Sequence, residues 1–249
     1  MDKEEARSVL DGLLLGDGNL DFGGGVTARF RISREDTKEY RDYLLGIAEA
    51  LEMLRIGVSP DQPKSRTKTS KGRASQMLDL DSRASPILTK QYHLWIVSNK
   101  PKRRKVPDYF MKITPLTLTY WFESDGNTHR PKKEKNLVVL ELSSCQFGHE
   151  GNIRLRELLM DIGIEARLDK RWDKGNREYR WSLTIGNAAG VNQFLDIVES
   201  HIHLPYVYKM ERPWLKRLMV NGKQQRGRFD WKDLPGGKRG WVKAPEKVT

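Results

Sequence analysis

Two stretches of the sequence decide the fold: LDGLLLGDG at residues 10–18 and LTYWFESDG at residues 118–126. Each closes an apolar run of helical length, residues 6–18 and 114–126, with a small residue, an aspartate and a glycine. The two aspartates, Asp17 and Asp125, lie 108 positions apart. A repeated run of this kind indicates two similar structural units in one chain.

The segments that follow the two runs also correspond. Residues 26–33 alternate between apolar and polar side chains, which predicts a half-buried strand with a basic open face. Residues 40–54 then carry apolar side chains at helical spacing. After the second run, the pattern predicts a strand over 137–144 and a helix over 153–162. The order of elements is therefore the same in both units.

Each unit next contains a basic hairpin and a closing helix. The hairpin strands are predicted over 64–69 and 75–82 in the first unit, and over 166–173 and 177–185 in the second. The closing helices are predicted around 85–97 and 187–201. We therefore expect a pseudo-dimer on one chain, with halves at 1–108 and 109–212 and a basic C-terminal tail at 213–249.

The positive charge is concentrated in that tail. The chain has 249 residues and a formal net charge of +12, of which residues 210–249 contribute +7 through 11 basic and 4 acidic side chains. Residues 1–110 carry +4 and residues 111–209 carry +1. Such a tail suits a polyanionic partner. The alternative is a solvated terminus that is basic only for solubility.

Composition excludes several classes of protein. No apolar run approaches the roughly 18–20 residues that a membrane span needs, and the acidic start MDKEE gives no sign of a signal peptide. One cysteine, Cys145, cannot form an internal disulfide or a Cys-rich zinc site. We expect an intracellular protein without a membrane partner, in a bacterial or phage-infected cytoplasm or in an organelle.

The two stretches at 10–18 and 118–126 resemble the paired motifs of single-chain LAGLIDADG homing endonucleases. The resemblance extends over roughly residues 5–212 through motif order, spacing and the pattern between the motifs. It implies an α/β (α+β) fold of two pseudo-symmetric αββαββα halves, whose antiparallel sheets form a DNA-binding saddle. The motif helices would pack face to face, with Gly12 and Gly16 allowing close approach. Tyr120 stands where the first motif has Gly12, so one bulky face would pack against one small face.

The resemblance implies that Asp17 and Asp125 are the catalytic acids and hold divalent cations at the scissile phosphates. Hard oxygen ligands suit Mg²⁺, with Mn²⁺ as an alternative and Ca²⁺ as a non-cleaving substitute. The main-chain carbonyls of Gly16 and Ser124 are candidate further metal ligands. Taken singly, either aspartate could instead cap a turn before its glycine. Two other acidic motif residues, Asp11 and Glu123, are expected to be packing or solvent residues.

Family members often place a lysine near the metals. By position, Lys209 is the candidate in the second half and Lys105 in the first, because both follow the last helix of their half. The ordinary alternative is that both lysines are solvated and have no part in catalysis.

The open strand faces are the predicted DNA-binding surface, since Arg, Ser, Thr and Glu can contact base edges in the major groove while loop lysines bind the backbone. The candidates in the first half are Thr27, Arg29, Arg31, Lys68 and Arg73. Those in the second half are Lys132, Lys133, Glu141, Ser143, Arg180 and Thr184. Each of them could also belong to a solvated sheet face.

Three functions are compatible with these features. The first is a monomeric endonuclease that cleaves both strands of a long, asymmetric site in double-stranded DNA. The second is a maturase that binds intron RNA and assists splicing on the same scaffold, which the basic tail keeps in consideration. The third is a DNA-binding regulator that has lost cleavage.

Overall fold

The computed structural model describes residues 1–22, 26–70, 73–99, 102–110, 112–131, 137–173 and 178–210, and the backbone of 219–220, 223–224, 229–234 and 238–243. The first half has the order helix, two strands, helix, two strands, helix. Its elements are α1 (Lys3–Leu15), β1 (Asn19–Asp21), β2 (Arg29–Glu35), α2 (Lys38–Met53), β3 (Lys64–Ser70), β4 (Arg73–Asp81) and α3 (Pro86–Trp95). A short antiparallel pair follows, β5 (Ile96–Asn99) and β6 (Lys102–Arg104).

The second half repeats this order. Its elements are α4 (Pro115–Asp125), β7 (Gly126–His129), β8 (Val139–Ser143), α5 (Gly148–Asp161), β9 (Arg167–Asp173), β10 (Glu178–Ile185) and α6 (Ala188–Glu199). It also contains two 3-10 segments, one between β8 and α5 at Cys145–Phe147 and one after α6 at Leu204–Lys209. In the tail, β11 (Met219–Val220) pairs with β12 (Lys223–Gln224), and β13 (Phe229–Leu234) pairs with β14 (Lys238–Lys243).

Local sequence fixes where both motif helices begin. Asp2 caps α1, because its carboxylate accepts from the amides of Glu4 and Glu5 while Glu5 bonds back to the Asp2 amide. Thr114 caps α4 by accepting from the Thr117 amide, and a proline occupies the first helical position. The caps fix the first residues of both helices, and each helix ends at or just before its motif aspartate, α1 at Leu15 and α4 at Asp125.

The two sheets have the same strand order. The first is β1-β2-β4-β3 and the second is β7-β8-β10-β9, with every pair antiparallel. Asn19 pairs with Arg31 in the first sheet, and Asn127 pairs with Glu141 in the second. Since each asparagine lies two positions after a motif aspartate, Arg31 and Glu141 occupy equivalent positions. The register therefore gives a residue-by-residue relation between the halves.

One face of each sheet packs on helices and the other is polar. Ala28, Phe30 and Ile32 are buried, as the alternation predicts, but the strand runs over Arg29–Glu35 and Val26 is exposed. In the second sheet, the buried side chains of Leu142 and Leu183 are register partners. The predicted fold of two αββαββα halves with antiparallel sheets is confirmed. Of the described residues, no helix is both long enough and apolar enough to cross a bilayer.

Candidate active site

The two motif helices pack side by side through glycines. A Cβ atom at Gly12 would lie 2.6 Å from the Thr117 carbonyl oxygen and 2.8 Å from the Tyr120 Cβ, and one at Gly16 would overlap the Ser124 side chain. The Thr117 hydroxyl donates to the Ser8 carbonyl across the same contact, at 3.2 Å. The small face of α1 thus accommodates the bulky face of α4, as the sequence predicts.

The close packing brings the predicted catalytic acids together. The Asp17 side chain follows the end of α1 and is 47 % exposed. Asp125, the last residue of α4, is mostly buried, and this burial raises its pKa to about 6, with the negative charge of Asp17 as the next cause. Two carboxylates that interact through their charge form a site that favours binding of a cation.

A buried basic side chain lies at the C-terminal end of each motif helix. Arg104 donates to the carbonyls of Leu14, Gly16 at 2.9 Å and Gly18 at 2.6 Å. Lys209 donates to the carbonyls of Phe122 at 3.2 Å and Glu123 at 2.6 Å. Both groups bind helix-end carbonyls, which lack partners inside the helix and carry partial negative charge.

Burial weakens the hold of both groups on their protons. It lowers the pKa of Lys209 to about 8 and that of Arg104 to about 10. The negative charges of Asp17 and Asp125 oppose this shift in both groups. The predicted lysine of the second half therefore lies beside the carboxylate pair.

In the first half the corresponding group is Arg104 and not the predicted Lys105. The Lys105 side chain is exposed, whereas that of Arg104 is buried at the end of α1. Successive side chains at the end of β6 point to opposite sides, so a shift of one residue changes which of them reaches the site. The run of basic residues at 102–105 gave no sequence signal for choosing between the two.

Two residues that the sequence did not single out contact the carboxylates directly. Arg34, in β2, has its Nη1 3.2 Å from the Asp17 Oδ2. Gln146, in the 3-10 segment after β8, hydrogen-bonds Asp125 and donates to the Leu15 carbonyl at 3.0 Å. Arg34 lies one residue after Ser33, and Gln146 lies three residues after Ser143. The two do not share a sequence position, so no common pattern in the sequence marks them.

The donor set fits a hard divalent cation. In the part of the chain that the structure describes, no group of three or more His, Cys, Asp or Glu side chains could hold a metal. Asp17 and Asp125 would therefore need further oxygen ligands from the main chain, water or a bound phosphate. Of the predicted additional ligands, the Gly16 carbonyl already accepts from Arg104. Ser124, whose carbonyl is the other candidate, directly precedes Asp125 in the last turn of α4.

Comparison with known proteins agrees with this geometry. The family model of the LAGLIDADG DNA endonuclease family matches residues 7–188. The chain belongs to this family. No curated protein matches the chain significantly in sequence.

Among solved structures, the homing endonuclease I-WcaI bound to its DNA recognition sequence is similar to this LAGLIDADG chain, with a TM-score of 0.66 and 17 % identity over 85 % of this chain and 88 % of that one. Mesophilic variants of the homing endonuclease I-DmoI match with a TM-score of 0.43 and 14 % identity, over 81 % of this chain and 99 % of that one. The likeness to I-WcaI shows the shared LAGLIDADG fold.

A hydrogen-bonded contact between the buried Glu123 carboxylate and His203 anchors the segment that carries Lys209 in this LAGLIDADG chain. Glu123 is 1 % exposed, and it accepts from the His203 amide at 2.7 Å and lies 2.9 Å from the His203 Nδ1. The equivalent position in the first motif is Leu15. The expectation of a packing or solvent role for Glu123 misses this contact, because a carboxylate in an apolar motif is paired only through the fold.

The polar face of the first LAGLIDADG sheet carries paired charges. Arg29 bonds Asp21 at 2.9 Å, and Arg31 bonds Asp81 at 2.6 Å. Lys68 is exposed on the same face. Of the other two candidates for DNA contact, Thr27 is half-buried just before β2, and the side chain of Arg73 lies outside the described residues.

The second LAGLIDADG sheet has the same character. Arg171 lies 3.3 Å from Glu141, Arg180 bonds Asp173 at 2.6 Å, and Ser143 is exposed. The candidates Lys132 and Lys133 lie outside the described residues. The structure does not present Thr184 for contact.

Thr184 is 3 % exposed, and its hydroxyl donates to Asp169 at 2.9 Å. This residue shares the polar face of the sheet, but its position near the end of β10, between β8 and β9, buries it. Alternation along a strand predicts on which face of the sheet a side chain lies, but it does not predict how much of that side chain is exposed to solvent.

Proposed function

We propose that this protein is a monomeric endonuclease that cleaves both strands of a long, asymmetric site in double-stranded DNA with a divalent cation, Mg²⁺ in the cell. The observation that carries this proposal is the pair of interacting carboxylates, Asp17 and Asp125, at adjoining helix ends, each beside a buried cation. Family membership supports the same reaction. One acid from each half provides one acid for each DNA strand.

Asp17 and Asp125 would hold the cations. When bound, a divalent cation neutralises charge on the scissile phosphate and activates water. Lys209 and Arg104 keep positive charge beside the pair, which favours the approach of an anionic phosphate. Because the pKa of Lys209 is about 8, its Nζ keeps its proton at pH 7 and loses it in mildly alkaline solution.

The polar faces of the two sheets would bind the DNA. Arginine and serine side chains on both faces can donate to base edges, and Lys68 can contact the backbone. The structural likeness to a protein bound to its DNA recognition sequence supports this surface. Ion pairs such as Arg31 with Asp81 must open or reorient when the arginines contact bases.

The test begins with selection of cleaved molecules from a randomised double-stranded DNA library, which yields the target site without knowledge of its source. Single-turnover cleavage of that site is then measured with Asp17→Asn and Asp125→Asn, with each strand labelled separately. We expect each variant to lose at least about a thousandfold in double-strand cleavage, because a metal-holding carboxylate is removed. DNA binding should change little.

Asp11→Asn is the matched control. Asp11 lies on the same motif helix, is buried and pairs with Arg7 at 3.0 Å, away from the carboxylate pair. This variant should cleave both strands as the wild type does. Normal double-strand cleavage by Asp17→Asn or Asp125→Asn would overturn the catalytic assignment.

The same experiment separates the alternative functions. A site that is bound specifically and never cut would favour the DNA-binding regulator. Specific retention of intron RNA with no DNA target would favour the maturase. Binding of DNA or RNA alone does not require the carboxylate pair and its two buried basic side chains, which is why we propose the nuclease.

A further inference from the structure

Arg34 and Gln146 occupy corresponding places around the two carboxylates. Arg34 contacts Asp17 of its own half and extends to the other motif helix, where its Nη2 donates to the Ser124 hydroxyl at 3.4 Å. Gln146 likewise hydrogen-bonds Asp125 of its own half and donates to the Leu15 carbonyl of the other motif helix. The two side chains make corresponding contacts but differ in charge, because Arg34 carries a positive guanidinium and Gln146 a neutral amide.

Arg34 is held firmly in this place. Its Nε donates to the Tyr206 hydroxyl at 2.6 Å and its Nη1 to the Ser33 carbonyl at 2.9 Å, and the side chain is only 11 % exposed. A guanidinium stays protonated throughout the working pH range of proteins. The positive charge beside Asp17 is therefore permanent and can move only by breaking several hydrogen bonds.

The other cations near the site do not produce this inequality. Arg104 binds the end of α1 and Lys209 binds the end of α4, and the charge of each acts on both Asp17 and Asp125. Among the residues that the structure describes, Arg34 forms an ion pair with one motif aspartate, and the other motif aspartate has no such ion pair. A carboxylate that already pairs with a fixed cation attracts a divalent cation less strongly than one that accepts from an amide.

We propose that Arg34 makes the two halves of the catalytic centre unequal, so that a divalent cation binds more weakly on the Asp17 side and the two DNA strands are cut at different rates. The inference rests on the proposed nuclease function. Arg34 is then a positioning residue that acts through Asp17. Gln146 is the neutral reference, because Asp125 beside it shows how a motif carboxylate behaves without an adjacent guanidinium.

The test replaces the guanidinium of Arg34 with the amide of glutamine. In Arg34→Gln, each carboxylate faces an amide. Ca²⁺ is titrated calorimetrically into the complex of the protein with its selected DNA, and strand-resolved cleavage is measured separately with Mg²⁺. For the wild type we expect two cation affinities that differ by about tenfold or more, and unequal strand rates. In Arg34→Gln both differences should shrink to about twofold or less, since the charge difference is gone.

Two further variants keep the result interpretable. Arg34→Lys retains the charge and should retain the unequal affinities and rates, whereas a purely structural role of the guanidinium fork would make Arg34→Lys behave like Arg34→Gln. Arg7→Gln removes an arginine of another arginine–aspartate pair on α1, away from the site, and should leave both ratios unchanged. Thermal melting of each variant shows whether the fold is intact.

The outcomes distinguish this inference from the proposed function. Wild-type protein that cleaves neither strand of any selected DNA contradicts the nuclease. Wild-type protein that cuts both strands at equal rates, with equal Ca²⁺ affinities, keeps the nuclease and overturns the role of Arg34. Unequal wild-type values that persist in Arg34→Gln also overturn it, because the inequality then has another source.

Discussion

The two halves of the catalytic centre share a backbone and differ in their side chains. In the first half, Asp17 is about half exposed and pairs with Arg34, and in the second half Asp125 is mostly buried and accepts from Gln146. The position two residues before each aspartate is Leu15 in one motif and Glu123 in the other. The comparison shows that strand register and helix packing are retained while the electrostatics of the two acids have diverged.

The difference extends to the contact between the motif helices. Gly12 of α1 lies against Tyr120 of α4, so the two faces are complementary in size and not identical. A homodimer with two equal helices could not use this solution. The single chain allows the two halves to differ. A change in one half can therefore be compared with the other half or with a matched site.

The largest effect is expected from filling the helix contact. Gly12→Ala places a methyl group 2.6 Å from the Thr117 carbonyl oxygen, so the helices must separate. We expect a loss of about 2–3 kcal/mol in the free energy of unfolding, as for other overpacked cores. Gly46→Ala in α2 is the control, because nothing lies within 4 Å of its added Cβ. That variant should stabilise the protein by about 0.5–1 kcal/mol through helix propensity. Urea unfolding measures both, and equal effects would contradict the packing argument.

An effect of similar size is expected at the contact between the buried Glu123 carboxylate and His203 in the second half. His203→Ala leaves the Glu123 carboxylate buried without its imidazole partner, and we expect a loss of about 2–4 kcal/mol in stability. Glu123→Leu installs the residue of the first half and leaves only the partly exposed His203 unpaired. This variant should cost less than about 1.5 kcal/mol. A Glu123→Leu variant as unstable as His203→Ala would show that the carboxylate itself stabilises the fold.

The two acids should respond differently to neutralisation. Asp125 has a folded-state pKa of about 6, above its ordinary value of 3.8, so between these values the folded state binds more protons than the unfolded state. Stability from this group is therefore lost as pH rises from about 4 to about 6. Asp125→Asn should remove that slope and stabilise the metal-free protein at pH 8 by about 1–3 kcal/mol.

Asp17→Asn should stabilise the metal-free protein less, because it also breaks the contact with Arg34. Thermal melting of both variants at pH 5 and pH 8 makes the comparison. A larger gain from Asp17→Asn than from Asp125→Asn would contradict the assignment of Asp125 as the more strained acid.

The smallest effect is expected on the polar sheet face. Lys68→Ala removes an exposed cation from the first sheet, and we expect DNA affinity to fall a few-fold with little dependence on sequence. The slope of log affinity against log salt should decrease by about one, as for the loss of one phosphate contact. Lys90→Ala, on α3, is the control and should leave the slope unchanged. A changed specificity in Lys68→Ala would indicate a base contact instead.

Much of this fold follows from patterns along the sequence. The run that ends at Asp17 and the run that ends at Asp125 are local, and the strand alternation at 26–33 is governed by burial on one face. These signals predict elements, their order and the repeat. They also predict that the motif aspartates meet, because the small face of α1 can pack side by side with the bulky face of α4.

The site residues that sequence reasoning missed depend on contacts between distant segments. Arg34 approaches Ser124 from 90 residues away, and Arg104 reaches the end of α1 from 86 to 90 residues away. A basic residue in a basic run carries no signal of its own, so the sequence pattern does not distinguish Arg104 from Lys105. Exposure has the same limit, because the burial of Thr184 depends on Asp169 in the adjacent strand.

The most direct measurement is a crystal structure of the protein with its selected DNA and Mn²⁺, in which anomalous scattering locates and quantifies the cation at each acid. The account predicts Mn²⁺ at both Asp17 and Asp125, with the lower occupancy on the Asp17 side at limiting Mn²⁺. Mn²⁺ at neither aspartate, in a complex with bound target DNA, would contradict it.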